Sequence, residues 1–231
     1  GTSTTNRNPI CYPYYDYTWS SALYLQSEIG QSLYINKLSW YFDHGSTIPY
    51  TVNNQKIYLK NVTETSYPNT SYPDPENNGY TLVYEGTVTF NATGWFDLPL
   101  DVPFFYDGVG SLEMVWENYD GSGMSGYPYF RYTSQTNRNK YKYANGSFPA
   151  ISGYRNSYVA NIRLHYYFPE DGTIAGTVTD NTTGNPILGA TVTAGDMYTV
   201  TLGDGTYSFD VMEGDYDLSL IHISEPTRLL S

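Results

Sequence analysis

The stretch from Gly172 to Leu220 reads GTIAGTVTDNTTGNPILGATVTAGDMYTVTLGDGTYSFDVMEGDYDLSL. Ile174, Gly176 and Val178 fall on one side of an extended chain, with Thr177 and Thr179 on the other. Ala190, Val192 and Ala194 repeat the alternation, and so do Tyr207, Phe209 and Val211. A period of two, filled with Val and β-branched Thr, predicts half-buried strands. Between the strands, Asp180 to Asn185 and Gly203-Asp204-Gly205 read as tight turns in which glycine supplies positive φ. No nucleophile, base or metal cluster interrupts the pattern. The stretch therefore predicts a small β-sandwich module that presents or spaces other domains.

The spacing G-x-V-x-D-x-x-T-G-x-P-I-x-G-A-x-V is carried by Gly176, Val178, Asp180, Thr183, Gly184, Pro186, Ile187, Gly189, Ala190 and Val192. Gly203, Asp204, Gly205, Tyr207, Phe209, Gly214 and Tyr216 complete it. The pattern resembles the carboxypeptidase regulatory-like family. That resemblance implies a transthyretin-like, Ig-like sandwich over 173–217 and a secreted bacterial surface protein, and it names no ligand.

Leu218 to Arg228 reads LSLIHISEPTR, which matches the translation of a transposase-type sequencing-library adapter. The natural sequence is expected to end near Asp217. Residues 218–231 are then an artefactual tail, and the module is truncated before its last strands. Leu218 and Leu220 nonetheless continue the alternation, so a strand can form there. The chain starts at Gly1 without Met, which reads as an internal, metagenomic-type fragment of a longer protein.

Residues 1–168 predict a second, larger all-β domain. Leu38, Trp40 and Phe42 alternate, as do Ile57 and Leu59, Val88 and Phe90, and Phe96, Leu98 and Leu100. Pro99 favours an edge position for the last of these. Leu112, Met114 and Trp116 share one face opposite Glu113, Val115 and Glu117. Ile162, Leu164, Tyr166 and Phe168 share one opposite Asn161, Arg163, His165 and Tyr167. Many short strands with Gly-, Pro- and Asp-rich turns and no sustained helical period predict a β-sandwich or jelly roll. Residues 169–172 read as the linker. NPICYPYYDYTWSSALYLQSEIG (8–30), the strand from Ile57, VYEGTVTF (83–90), GWFDLPLDVPFFYDG (94–108) and NIRLHYYF (161–168) together resemble a recurrent β-domain of bacterial proteins exported by the type IX pathway. Cys11 departs from that pattern, which leads one to expect an aromatic residue there. The resemblance carries no defined active site.

Composition narrows the function classes. The chain has 231 residues, a net charge of −12 and 27 tyrosines. An acidic surface repels nucleic acid and anionic lipid, because phosphate contacts need Lys and Arg. No apolar run is long enough to insert into a bilayer. The lone Cys11 excludes an internal disulfide.

No enzyme is expected. A Ser-His-Asp arrangement would have to use His44 or His165, and no G-x-S-x-G elbow accompanies either. A glycosidase could use Glu113 and Glu117, but these lie about 13 Å apart by strand rise and read as solvated strand residues. Oxygen-rich turns around Asp74, Glu76 and Asp120 make candidates for a structural Ca²⁺, although Asp and Asn also favour turns for backbone reasons alone. No other cofactor is expected.

The tyrosines pose the remaining question. Tyr12, Tyr14, Tyr15, Tyr17 and Trp19 form one run, and Tyr127, Tyr129 and Tyr132 another, extended by Tyr141, Tyr143 and Tyr154. Rings at i and i+2 on a strand share a face. Tyr127, Tyr129, Tyr132, Tyr14 and Trp19 are thus candidates for an aromatic platform that stacks on sugar, while the same rings also suit sheet edges and core rims. Two functions stay open. One is an adhesive or spacer fragment of a secreted, extracellular or cell-surface protein, whose partner is a surface glycan or a cell-surface protein. The other is a carbohydrate-binding module once joined to a catalytic domain.

Overall fold

Alternation turns into pleated strand wherever it is strong. A computed structural model of the chain describes residues 5–6, 12–44, 48–123, 129–167, 172–194, 197–211 and 216–221. The contacts divide the chain into two units, Gly1–Tyr167 and Phe168–Ser231.

The first unit runs β1 (Thr5–Asn6), β2 (Tyr17–Tyr24), α1 (Gln26–Ile29), β3 (Leu33–His44), β4 (Tyr50–Val62) and β5 (Thr81–Phe90). It continues with β6 (Gly94–Tyr106), β7 (Ser111–Asn118), β8 (Tyr129–Ala144), β9 (Tyr154–Ala160) and β10 (Ile162–Tyr167). The strands form one antiparallel sheet in the order β10-β3-β8-β2-β7-β4-β5, with β6 added on β3 and with β1 and β9 added on β8. Strand β8 makes the sheet curl. Its start pairs with β3 (Phe42↔Phe130), and its later residues pair with β2 (Ser20↔Tyr141). Between these points its register with β9 slips at Ser134/Asn139, and Asn137 takes a positive φ of 56°. An irregularity of this kind bends a strand and sharpens its twist.

The result is an all-β sandwich-like fold with the β10-β3-β6 layer facing the β8-β2-β7-β4-β5 layer. Trp40 on β3 meets Trp116 on β7 edge-on, with ring centroids 5.0 Å apart. Phe42, Phe90 and Phe130 pack beside them. Leu38, Trp40, Phe42, Ile57, Leu59, Val88, Phe90, Leu112, Met114 and Trp116 are all buried in this core. Each such side chain contributes about 1.5–3 kcal/mol on leaving water. Pro99 sits in β6, which pairs with β3.

Two expectations fail here. All eight residues of β7 are buried, including Glu113, Val115 and Glu117. These are not solvated strand residues, because segment 63–80 crosses the outer face of the sheet and lays Tyr67 and Tyr72 over it. Backbone bonds pin that segment, from Tyr67 N to Asn137 O (2.8 Å) and from Gly153 N to Thr70 O (2.8 Å). Gly172, read as linker, opens a strand of the second unit instead.

The second unit contains β11 (Gly172–Thr177), β12 (Thr191–Ala194), β13 (Met197–Val200), β14 (Thr206–Val211) and β15 (Leu218–Ile221). β11 pairs with β14, and β12 lies between β13 and β15. Val178, Ala190 and Val192 form its core, packed by Ile187, Tyr207 and Phe209. Asp180 Oδ1 accepts from the Thr182 and Thr183 backbones and closes one predicted turn. In the other, Gly205 has φ +77°, and a Cβ there would lie 2.6 Å from Val178 O. Only glycine fits that position.

Candidate functional site

Asp16 organises one end of the larger unit. Its Oδ1 accepts from Gly123 N (2.8 Å), its Oδ2 from Gly146 N (3.0 Å), and its backbone oxygen from Gly121 N (3.0 Å). One carboxylate thereby ties the turn before β2 to the loops after β7 and after β8. This brings Tyr12, Tyr14 and Tyr15 of the first run against Tyr141, Tyr143 and Tyr154, the extension of the second. Tyr15 stacks on Tyr143 (4.0 Å, 14°), Tyr14 stands edge-on to Tyr15 (5.1 Å, 83°), and Tyr12 packs against Tyr14, Tyr15 and Tyr143. On the far side Tyr143 approaches Tyr154 (6.2 Å, 38°) and Tyr141 (6.1 Å, 25°). Lys142 Nζ lies 4.6 Å from the Tyr154 ring centre. Tyr14 and Tyr154 are each 50% exposed, and the rings between them are half-buried. The angles rule out a flat row. The rings form a knuckled surface with an open ring at either end.

The predicted platform is only partly assembled. Tyr14 belongs to this cluster. Tyr129 is half-buried at the start of β8, opposite His44. Tyr132 packs against Tyr158, with centroids 4.5 Å apart. Tyr127 lies outside the described residues. Trp19 is fully buried and offers no ring to solvent. Its Nε1 donates to Pro149 O (2.8 Å), and its ring lies beside Tyr72. Residue parity explains the miss, because Trp19 points to the face covered by segment 63–80.

That covered face is polar. Glu113 Oε1 accepts from Ser21 Oγ (2.6 Å) and Tyr67 OH (3.0 Å), and Oε2 accepts from Tyr80 OH (2.7 Å). Lys140 Nζ lies 4.0 Å from Glu113 Oε1. Burial lowers the Lys140 pKa, an effect the Glu113 charge partly offsets. Glu117 accepts a short hydrogen bond from Tyr72 OH, while its Oε2 is buried with no partner. Desolvation pushes the Glu117 carboxyl up, against the Tyr72 and Tyr119 hydroxyls and the Lys56 charge. Burial likewise raises the phenols of Tyr67, Tyr72 and Tyr80, with the neighbouring carboxylates adding to it. Glu113 is taken up by three protein hydroxyls and Glu117 is buried against Tyr72, unlike a carboxylate pair free to flank a sugar.

Ser39, His165 and Asp97 do meet, on the outer face of β10-β3-β6. Ser39 Oγ donates to Asp97 Oδ1 (2.7 Å) and lies 2.7 Å from His165 Nε2. A hydroxyl has one hydrogen. With it given to Asp97, His165 Nε2 must donate to the serine and cannot take its proton. The serine sits between acid and imidazole, whereas a catalytic triad places the imidazole in the middle. Ser39 is also fully buried. The hydrogen bonds from Ser39 and Lys37 hold the Asp97 carboxyl below its ordinary range.

The three calcium candidates engage neighbouring protein groups. Asp74 accepts from Asn77 Nδ2, Glu76 pairs with Lys56 (3.0 Å), and Asp120 Oδ1 accepts from Asn53 N (2.9 Å). Among the described residues, no group of three His, Cys, Asp or Glu side chains is arranged to hold a metal. No helix there is long and apolar enough to cross a membrane. No family model, characterised protein or solved structure matches this chain.

Proposed function

We propose that the chain is a non-catalytic adhesive portion of a secreted or cell-surface bacterial protein, and that the larger unit meets a surface glycan through its tyrosine end. The observation that carries this reading is the Asp16-latched cluster in which Tyr14 and Tyr154 each leave half their surface open. Tyrosine gives large amphipathic contact area at low entropic cost, and its ring faces stack on sugar while its hydroxyl bonds to it. The tilted rings favour a compact patch for a glycan terminus over the flat row that a carbohydrate-binding module uses on extended polysaccharide. The inverted order of Ser39, His165 and Asp97, the three protein hydroxyls on Glu113 and the burial of Glu117 support a role without catalysis.

Glycan-array binding of the whole chain tests the reading, against a Tyr14→Ala, Tyr154→Ala variant. The expected result is a defined set of glycans bound by the parent and lost in the variant. Equal signal from both proteins overturns it. Binding to cells that survives periodate destruction of their glycans reassigns the contact to a protein.

A further inference from the structure

A cavity of about 670 Å³ opens between segment 63–80 and the turn joining β6 to β7, with Lys140 and Glu113 in its wall. Lys140 is only 7% exposed. Glu113 Oε1 lies 4.0 Å from its ammonium, the Tyr67 ring centre lies 4.4 Å away, and the Glu64 charge acts on it as well. That oxygen already accepts from Ser21 and Tyr67, and Tyr80 takes the other. Among the described residues, then, the ammonium is held by charge and ring while its hydrogens are directed to no protein acceptor. The side chain is largely buried but lines the cavity, so an oxygen-bearing occupant there can give the ammonium the acceptors that the wall does not.

The rest of the wall restricts which one. Lys60 donates to Asn78 O (2.7 Å) and covers the Tyr80 ring at 4.9 Å. Glu64 and Asp107 line the same space. Two lysines against Glu64, Asp107 and Glu113 leave the wall with one negative charge in excess, inside a protein of net charge −12. An anion gains at Lys140 and loses to that field. The Tyr67 and Tyr80 rings each already carry a lysine on one face, which weighs against stacking. What fits is a neutral frame that offers acceptors to the lysines and donors to the carboxylates over a few ångströms. The volume lies within the range of small-molecule sites.

We infer that this cavity binds a neutral mono- or disaccharide through its hydroxyls, with Lys140 as the central donor and the rim carboxylates as acceptors. The site is separate from the tyrosine end and stands without it.

Saturation-transfer NMR on the full chain tests the assignment, with glucose, galactose, N-acetylglucosamine, cellobiose and maltose at millimolar concentration. Saturation transfer to at least one sugar is expected. It should disappear in Lys140→Met, weaken about tenfold in affinity in Lys60→Ala, and persist in Tyr14→Ala, Tyr154→Ala. Lys60 is only half-buried, so its variant decides the matter if Lys140→Met fails to fold. The proposal is overturned if no sugar receives saturation, if folded Lys140→Met or Lys60→Ala binds like the parent, or if acetate or phosphate displaces the sugar.

Discussion

Replacing Glu117 by glutamine should make this protein more stable at neutral pH, although it deletes a charged side chain. Glu117 is 1% exposed. One oxygen is held by Tyr72 OH, and the other is buried without a partner. An unsatisfied buried acceptor costs about 1–3 kcal/mol, more when charged. Against this stand the attraction of Lys56, itself bound to Glu76 at 3.0 Å, and the stronger interaction a carboxylate makes with the Tyr72 and Tyr119 hydroxyls. The net expectation is a gain of about 1 kcal/mol at pH 7, or about 2–4 °C in Tm for a chain of this size. The pH dependence is more diagnostic. A carboxyl whose folded pKa is raised stabilises the fold below its unfolded pKa and loses that contribution as pH rises through the folded value. Desolvation raises Glu117 above the ordinary 4.5. The advantage of Glu117→Gln should therefore be small near pH 4.5 and grow towards pH 7.5. Urea unfolding of parent and variant across that window measures it, and carboxyls far from residue 117 cancel in the difference. A variant less stable at pH 7, or a difference that shrinks as pH rises, would show Glu117 to be solvated or ion-paired.

Two further outcomes follow from the same geometry. Trp19→Ala should cost about 3–5 kcal/mol, as for any large buried ring; a loss under about 0.5 kcal/mol in denaturant unfolding would return Trp19 to the surface. Asp16→Ala removes two acceptor oxygens that join loops from three parts of the chain. It should cost about 1–3 kcal/mol and reduce glycan binding, since Tyr15, with Tyr14 packed on it, is no longer held against Tyr143; unchanged binding would detach the latch from the site.

What could be read from residues alone was the inner face. Leu38, Trp40 and Phe42, like Leu112, Met114 and Trp116, alternate because one side of each strand meets the other layer. The outer face of β7 was illegible for a physical reason. Its cover is the irregular segment 63–80, which has no period, and Glu113 and Glu117 look solvated until Tyr67, Tyr72 and Tyr80 are placed over them. β2 was missed as a central strand because YTWSSALY is buried on both sides and does not alternate. The tyrosines were visible as two runs, but joining Tyr15 to Tyr143 depends on Asp16 reaching Gly123 and Gly146. Those contacts span 107 and 130 residues, and no local pattern encodes them.

The most direct test of the account follows the tyrosine rings themselves. In the chain with its tyrosine side chains ¹³C-labelled, titration with a glycan selected on the array should move the ring signals of Tyr14 and Tyr154, with smaller shifts at Tyr12, Tyr15, Tyr141 and Tyr143. Shifts confined to tyrosines elsewhere, such as Tyr34, Tyr167 or Tyr198, would contradict the placement of the contact surface.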